Sequence, residues 1–348
     1  MQDRPLILGI HGLANKPPKE EKQAWWAAAI REGLRRNLGE DPGDLSFEFV
    51  YWADLRYDAP LSEDHNREPY YPARGRGPFP SADGACAPTL TDRLYRIVEW
   101  AQEKTGHLVL DDFIIEHRLD DLWGYYEDGT FREAARERLR EALMQHADRP
   151  LLIAAHSMGS LIAYDVLRQL ERDGRCPRIA HFVTMGAPLG LAEIKHRLAE
   201  EHGALQVPYA VARWSNLGDR EDLATVGTTL AEAYVPNAAG VGVTDCPVVN
   251  AYRRPRGGVN PHKSYGYLRT PEFSRAVAAF LDGERGLHPS SCRVSRAPEG
   301  RGPARHRERR RSDPAARPPR RARSGWLRFR PARTGSFKPI AAVVPPTA

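Results

Sequence analysis

Ser157 sits where a serine can be made reactive. The run Leu151-Leu152-Ile153-Ala154-Ala155-His156 is apolar and ends abruptly. Ser157-Met158-Gly159-Ser160 follows, and the apolar spacing from Leu161 to Leu170 is helical. A strand, a tight turn and a helix with a serine at the tip strain the serine backbone and push its hydroxyl out of the sheet. Bulky side chains two positions away on either side would collide with such a turn, which accounts for Ala155 and Gly159. A serine hydroxyl is a poor nucleophile at neutral pH. It needs a base to take its proton and an acid to orient that base.

Where a serine sits on such a turn, the acid and then the histidine follow it along the chain. His262 lies in Asn260-Pro261-His262-Lys263-Ser264-Tyr265, a Gly/Pro-rich loop between the last expected strand and the last expected helix. From there an imidazole can reach the carboxyl edge of a sheet. His181 falls inside an apolar strand and reads as a satisfied core histidine. His196 and His202 fall on or near a charged helix and read as solvent-exposed. His288 and His306 fall in or beside a basic tail. Trp214-Ser215-Asn216-Leu217-Gly218-Asp219-Arg220-Glu221-Asp222-Leu223-Ala224 follows an expected strand and holds three carboxylates. Asp222, followed by a small apolar turn, is preferred as the acid. Asp219 is the alternative, and Glu221 faces solvent.

Attack on a carbonyl also requires donors for the developing oxyanion, and losing one typically costs about 10²–10³ in rate. The amide of Met158, next after the serine, is one expected donor. The other is the amide of Leu13, in the loop His11-Gly12-Leu13-Ala14-Asn15-Lys16 after the first strand, where Gly12 allows close backbone approach. Lys16 and Asp54 also follow strand ends, where substrate contact and ordinary surface roles are both open.

The elements that must hold these groups alternate. Leu6–Ile10 reads as a strand, Ala24–Leu38 as a helix, and Leu45–Tyr51 as a strand. After residue 129 the rhythm resumes: helix Phe131–His146, the Ser157 strand and helix, strand Ile179–Met185, and a helix to about Glu201. Strands at Tyr209–Trp214 and Pro247–Ala251 and a helix at Pro271–Leu281 complete it. Such alternation predicts a mostly parallel sheet covered on both faces. Residues 52–129 break the pattern with a Pro/Gly/Arg-rich loop, a helix at Leu90–Lys104 and an acidic, aromatic stretch. A connection that long reads as a cap or binding insertion. Its Tyr70, Tyr71, Trp100, Trp123, Tyr125 and Tyr126 suit either cap core or an aromatic contact patch.

The chain has 348 residues and is 41% apolar, enough for a sizeable core. Residues 286–348 hold fifteen arginines and one lysine against Glu299, Glu308 and Asp313, a net +13. The whole chain is +6, so the first 285 residues carry −7. The body is therefore acidic, and the basic balance is no sign of nucleic-acid binding by the body. The tail is expected to be disordered, since it cannot bury enough apolar surface to offset its ordering entropy. Cys86, Cys176, Cys246 and Cys292 are too scattered for a metal or disulfide framework. With a strand expected from Pro5 and no long apolar run, neither a signal peptide nor a transmembrane segment is expected, and the location is read as cytoplasmic.

Together His11-Gly12, Ala155-His156-Ser157-Met158-Gly159, Met185-Gly186-Ala187-Pro188, the Trp214–Asp222 segment and Asn260-Pro261-His262 resemble α/β-hydrolases of the lipase and serine-esterase type. The likeness covers about residues 5–283, without the insertion, and departs from the usual glycine at Ala155. It implies an α/β-hydrolase domain over residues 1–285, with a core sheet of the eight-stranded type and no cofactor or metal. It also implies Ser157 as nucleophile, His262 as general base and acid, and Asp222 (or Asp219) as the orienting acid. Met158, Leu13 and Gly12 would form the oxyanion hole. The implied reaction is cleavage of a small-molecule carboxylic ester through an acyl-enzyme. The same residues would serve a thioesterase, amidase or acyltransferase, and an inactive scaffold of this type would bind through its insertion.

Overall fold

The computed structural model describes residues 4–82, 122, 124–175, 177–225, 229–255 and 257–283. Contacts divide the chain into Met1–Val294 and Ser295–Ala348, and every described residue belongs to the first unit. The expected helix at Leu90–Lys104, together with Trp100 and Trp123, lies outside the described residues, as does the tail 286–348.

Strand β1 (Leu6–Ile10) leads through α1 (Lys19–Leu38) to β2 (Phe47–Val50). After the insertion come α2 (Gly129–Gln145), β3 (Leu151–His156), α3 (Met158–Arg172) and β4 (Ile179–Met185). Then follow α4 (Ala192–His202), β5 (Trp214–Asp219), the short α5 (Leu230–Ala233), β6 (Val243–Val248), α6 (Ser264–Leu268) and α7 (Pro271–Asp282). The six strands lie in the order β2-β1-β3-β4-β5-β6, every neighbouring pair parallel. The fold class is thus α/β, with six strands among the described residues rather than eight.

Period-two alternation carries the layering. On β3, Leu151, Ile153 and Ala155 join one apolar core with residues of α2, α3 and α4. Leu152 and Ala154 face a second core with residues of α1, α6 and α7. Buried on both sides, β3 is apolar throughout, as a central parallel strand must be. Local signals set the helix ends. Asp128 accepts hydrogen bonds from the amides of Thr130 and Phe131 at the start of α2, Thr270 caps Phe273 in α7, and left-handed Gly39 closes α1.

The strand expected at Leu45–Tyr51 is shorter, Phe47–Val50, and two others are displaced from the sequence reading. The apolar Tyr209–Trp214 run is not a strand: Tyr209 is 41% exposed, and β5 begins where that run ends, at Trp214. The polar residues of β5 are tolerated because neighbouring strands satisfy them. Ser215 Oγ meets His181 Nε2 at 2.9 Å, and Asn216 Nδ2 donates to Asp245 Oδ1 at 2.8 Å. The last strand is Val243–Val248 rather than Pro247–Ala251; it is an edge strand, where Pro247 is admissible. Among the described residues, no helix is long and apolar enough to cross a membrane.

The strand order reverses between β1 and β3: the chain runs outward to β2 on one side and to β4, β5 and β6 on the other. The loops leaving the carboxyl ends of β1 and β3 therefore diverge and leave a crevice, the usual ligand position in open parallel sheets. Gly12 follows β1, and Ser157 follows β3.

Candidate active site

Ser157 connects β3 directly to α3, and its backbone carries the strain (φ 54°, ψ −127°). Ser157 and Ala14 are the two non-glycine residues with positive φ among the described residues, and both lie in the loops that face each other across the crevice. Such conformations cost about 1–3 kcal/mol each and persist where surrounding structure enforces them. Here the Ser157 amide donates to the Met185 carbonyl at 2.9 Å, and Ser160 Oγ donates to the Ala155 carbonyl at 2.9 Å. A Cβ on Gly159 would lie 2.6 Å from the His11 carbonyl oxygen, so the first turn of α3 sits directly on the end of β1.

His262 reaches the serine. Its Nε2 lies 3.0 Å from Ser157 Oγ, and its Nδ1 lies 2.8 Å from both Oδ1 and Oδ2 of Asp222. All three residues are buried. Asp222 stands in the loop after β5, where Oδ1 also accepts the Ala224 amide at 2.9 Å. Asp219, at the last position of β5, is used differently. Its carboxylate accepts the amides of Glu221 at 2.7 Å and Asn250 at 2.5 Å. Burial pushes its pKa up, against the lowering effect of those two amides. Asn250 in turn donates to the carbonyls of Pro261 and Lys263, on either side of His262. Asp219 thus braces the histidine loop, while Asp222 meets the imidazole.

The loop after β1 closes the other side. A Cβ at Gly12 would fall 2.5 Å from Ser157 Cβ and 3.0 Å from its Oγ, so the Gly12 backbone approaches the Ser157 side chain as closely as glycine permits. The His11 ring fixes the next peptide. The Trp52 amide donates to its Nε2 at 3.1 Å, which leaves Nδ1 to donate to the Gly12 carbonyl at 2.8 Å. Burial holds His11 well below the usual histidine pKa, so the ring is neutral and this tautomer stands. With the Gly12 carbonyl turned toward His11, a trans peptide directs the Leu13 amide the opposite way. The Met158 amide, at the first position of α3, has no intrahelical partner. Lys16 donates to the carbonyls of Leu13 and Ala14, and Asp54 pairs with exposed Arg138 at 2.8 Å.

Four further residues shape the site; from sequence, His156 and Gly186 appeared only as motif members, and Glu68 and Tyr267 not at all. His156 donates Nε2–H to the His262 carbonyl at 2.7 Å, and its ring lies 4.8 Å from that of His262. Burial, and next the neighbouring His262, hold its pKa well below the histidine range, so it stays neutral. Gly186 lies behind the His262–Asp222 pair with φ 56°; a Cβ there would sit 2.7 Å from Asp222 Oδ2 and 3.1 Å from His262 Nδ1. Tyr267 donates its hydroxyl to Asp222 Oδ2 at 2.6 Å. Glu68, from the described start of the insertion, holds the histidine loop through Asn260 Nδ2 (2.7 Å), Lys263 Nζ (3.1 Å) and Arg254 Nε (2.8 Å). Glu68 and Tyr267 had no sequence signal beyond proximity to His262 or to the insertion; His156 had its place beside Ser157.

His202 is not solvent-exposed as the sequence suggested. Its side chain is fully buried, with Nε2 2.6 Å from Asp165 Oδ1. His196 is 68% exposed, as read. Tyr125 is likewise buried in the body rather than displayed, with its hydroxyl 2.6 Å from Asp165 Oδ2. Asp165, Glu201 and His202 each bring a possible metal-ligand atom within 4.8 Å of the others. Arg136 already lies between the two carboxylates, at 2.6 Å from Asp165 and 2.7 Å from Glu201, so a guanidinium supplies the local positive charge. His181 is a core histidine as read; burial and then Arg213 lower its pKa to about 4. No protein-family model matches the chain, and no curated protein matches it.

Proposed function

We propose that this protein is a serine hydrolase with an α/β-hydrolase-type fold that cleaves a carboxylic ester. The observation that carries the reading is the line Ser157 Oγ–His262 Nε2–Nδ1–Asp222, at 3.0 and 2.8 Å, with the serine held at φ 54° on a strand-to-helix turn. Backbone strain of this kind clusters at functional sites, which supports the reading.

The chemistry follows from the donors. The Ser157 hydroxyl donates to His262 Nε2, and Nδ1–H donates to Asp222. As Ser157 Oγ attacks the ester carbonyl, its proton passes to Nε2, and Asp222 steadies the imidazolium without taking the proton. The tetrahedral oxyanion receives the amides of Met158 and Leu13, and the positive end of α3 adds to its stabilisation. Nε2–H then protonates the leaving alkoxide. Water, deprotonated by the same nitrogen, releases the acid from the acyl-enzyme.

The test is covalent. A fluorophosphonate probe should label the wild-type protein at Ser157, and Ser157→Ala should lose both labelling and p-nitrophenyl ester turnover. Labelling that survives in Ser157→Ala would remove Ser157 from the role. Acyl-CoA thioesters and anilides run beside the esters identify which acyl bond is cleaved fastest.

A further inference from the structure

We propose that Tyr267 is a positioning residue that sets the rotation of the Asp222 carboxylate against His262. This rests on the reading of Ser157, His262 and Asp222 as nucleophile, base and acid.

The Tyr267 side chain is fully buried, and its hydroxyl makes two bonds of opposite sense. It accepts the Asp219 amide at 3.1 Å and donates to Asp222 Oδ2 at 2.6 Å. Burial, and next the Asp222 charge, raise the phenol well above its ordinary pKa, so it stays protonated and donates. A donor that is itself an acceptor is polarised by the second bond, which strengthens the first. The carboxylate is thereby held from three directions: the Ala224 amide on Oδ1, Tyr267 on Oδ2, and His262 Nδ1 across both oxygens.

A carboxylate on a single Cβ–Cγ bond turns easily, since that torsion is broad. Rotation would trade the symmetric contact with Nδ1 for a single skewed one. The imidazole would follow, because its other anchor in the relay is the Ser157 hydroxyl. Tyr267 lies five residues after His262, at the other end of the segment containing α6. One short stretch of chain therefore grips Asp222 twice, from the base side through His262 and from the far side through Tyr267. Asp219 serves the same segment: its own amide fixes Tyr267, and its carboxylate fixes Asn250, which holds the carbonyls beside His262. Tyr267 touches no reacting atom and acts through Asp222.

Tyr267→Phe keeps the ring and removes the donor. Expected are a roughly tenfold fall in kcat for p-nitrophenyl acetate and in the fluorophosphonate labelling rate, with KM unchanged, in line with a hydrogen bond to a charged group. In an Asp222→Ala background, Tyr267→Phe should change the residual labelling rate less than about twofold, because its target is gone. A merely structural role would instead subtract equally in both backgrounds. Equal labelling of wild type and Tyr267→Phe, or an additive effect in the double variant, overturns this inference alone. No labelling of the wild type overturns the proposed function with it. Circular dichroism verifies that the variants are folded. A second probe leaves the packing intact: a fluorinated tyrosine at position 267, a stronger donor, should shift the low-field proton resonance of the His262–Asp222 bond. An unshifted resonance overturns the assignment.

Discussion

Adding one methyl group at Gly12 would place a Cβ 2.5 Å from the Cβ of Ser157 and 3.0 Å from its hydroxyl oxygen. Carbon atoms in optimal contact stand about 3.5–4.0 Å apart, so one partner must retreat by roughly 1 Å. Neither can do so cheaply. The Gly12 loop is pinned by His11, stacked on Trp52 at 4.5 Å, and by Lys16 on the Leu13 and Ala14 carbonyls. Ser157 is pinned by the hydrogen bond its amide donates to the Met185 carbonyl and by Gly159 lying on β1. The φ of Gly12 is not positive, so alanine meets a purely steric obstacle. Overpacking of this kind costs about 1–3 kcal/mol, well inside the 5–15 kcal/mol that holds a typical domain together, so Gly12→Ala should fold with a melting temperature lower by a few degrees. A displacement of about 1 Å at a reacting centre costs on the order of 10²-fold in rate. The assay is the rate of fluorophosphonate labelling and p-nitrophenyl ester hydrolysis beside a thermal melt. Gly129→Ala, at the start of α2 with nothing within 4 Å of the added carbon, is the control and should label at the wild-type rate. Wild-type labelling in Gly12→Ala would refute the placement of this loop over the serine.

Ser157→Gly should abolish labelling yet raise stability by about 1 kcal/mol, since glycine adopts that backbone conformation with little strain; urea midpoints at constant m-value measure it. Burial pushes Glu68 upward, but Lys263 and the bonds from Asn260, Lys263 and Arg254 outweigh it and bring the pKa from 4.5 to about 2. A depressed carboxylate stabilises the fold above its unfolded pKa. The contribution, on the order of 2–3 kcal/mol, is therefore full above about pH 5 and is lost as pH falls from 4.5 toward 2. Wild type and Glu68→Gln should accordingly differ in melting temperature at pH 7 and converge near pH 2. Arg136→Met removes the cation from Asp165 and Glu201 and leaves Asp165 buried without that partner. Chemical denaturation should register a loss of about 3–5 kcal/mol, and a loss below 1 kcal/mol would mean the cluster relaxes.

Local rules reached far along this chain. The alternation of apolar runs announced an α/β protein with a parallel sheet, because a buried strand and an amphipathic helix each have their own period. Ile179–Met185 was read to the residue. The Ser157 turn was legible because a strained strand-to-helix junction admits only small neighbours, and those neighbours are adjacent in sequence. His262 was legible by elimination among loops. The strand β5 was misplaced because its polar residues are satisfied by partners on β4 and β6, which no local pattern contains. His202 was placed in solvent because a charged helix looks exposed until Asp165, 37 positions earlier, is found beside it.

The choice between Asp219 and Asp222 marks the boundary. Both carboxylates lie three residues apart at the end of one strand, and by type they are the same group. Only the packed structure separates them: backbone amides claim Asp219, while the loop turns Asp222 toward an imidazole 40 positions away. The sequence by itself determined which residue types could do chemistry and the periodicities that form strands and helices, since these depend on neighbours along the chain. The tertiary structure alone decided which groups meet, because a hydrogen bond spans 3 Å in space whatever the number of residues between its ends.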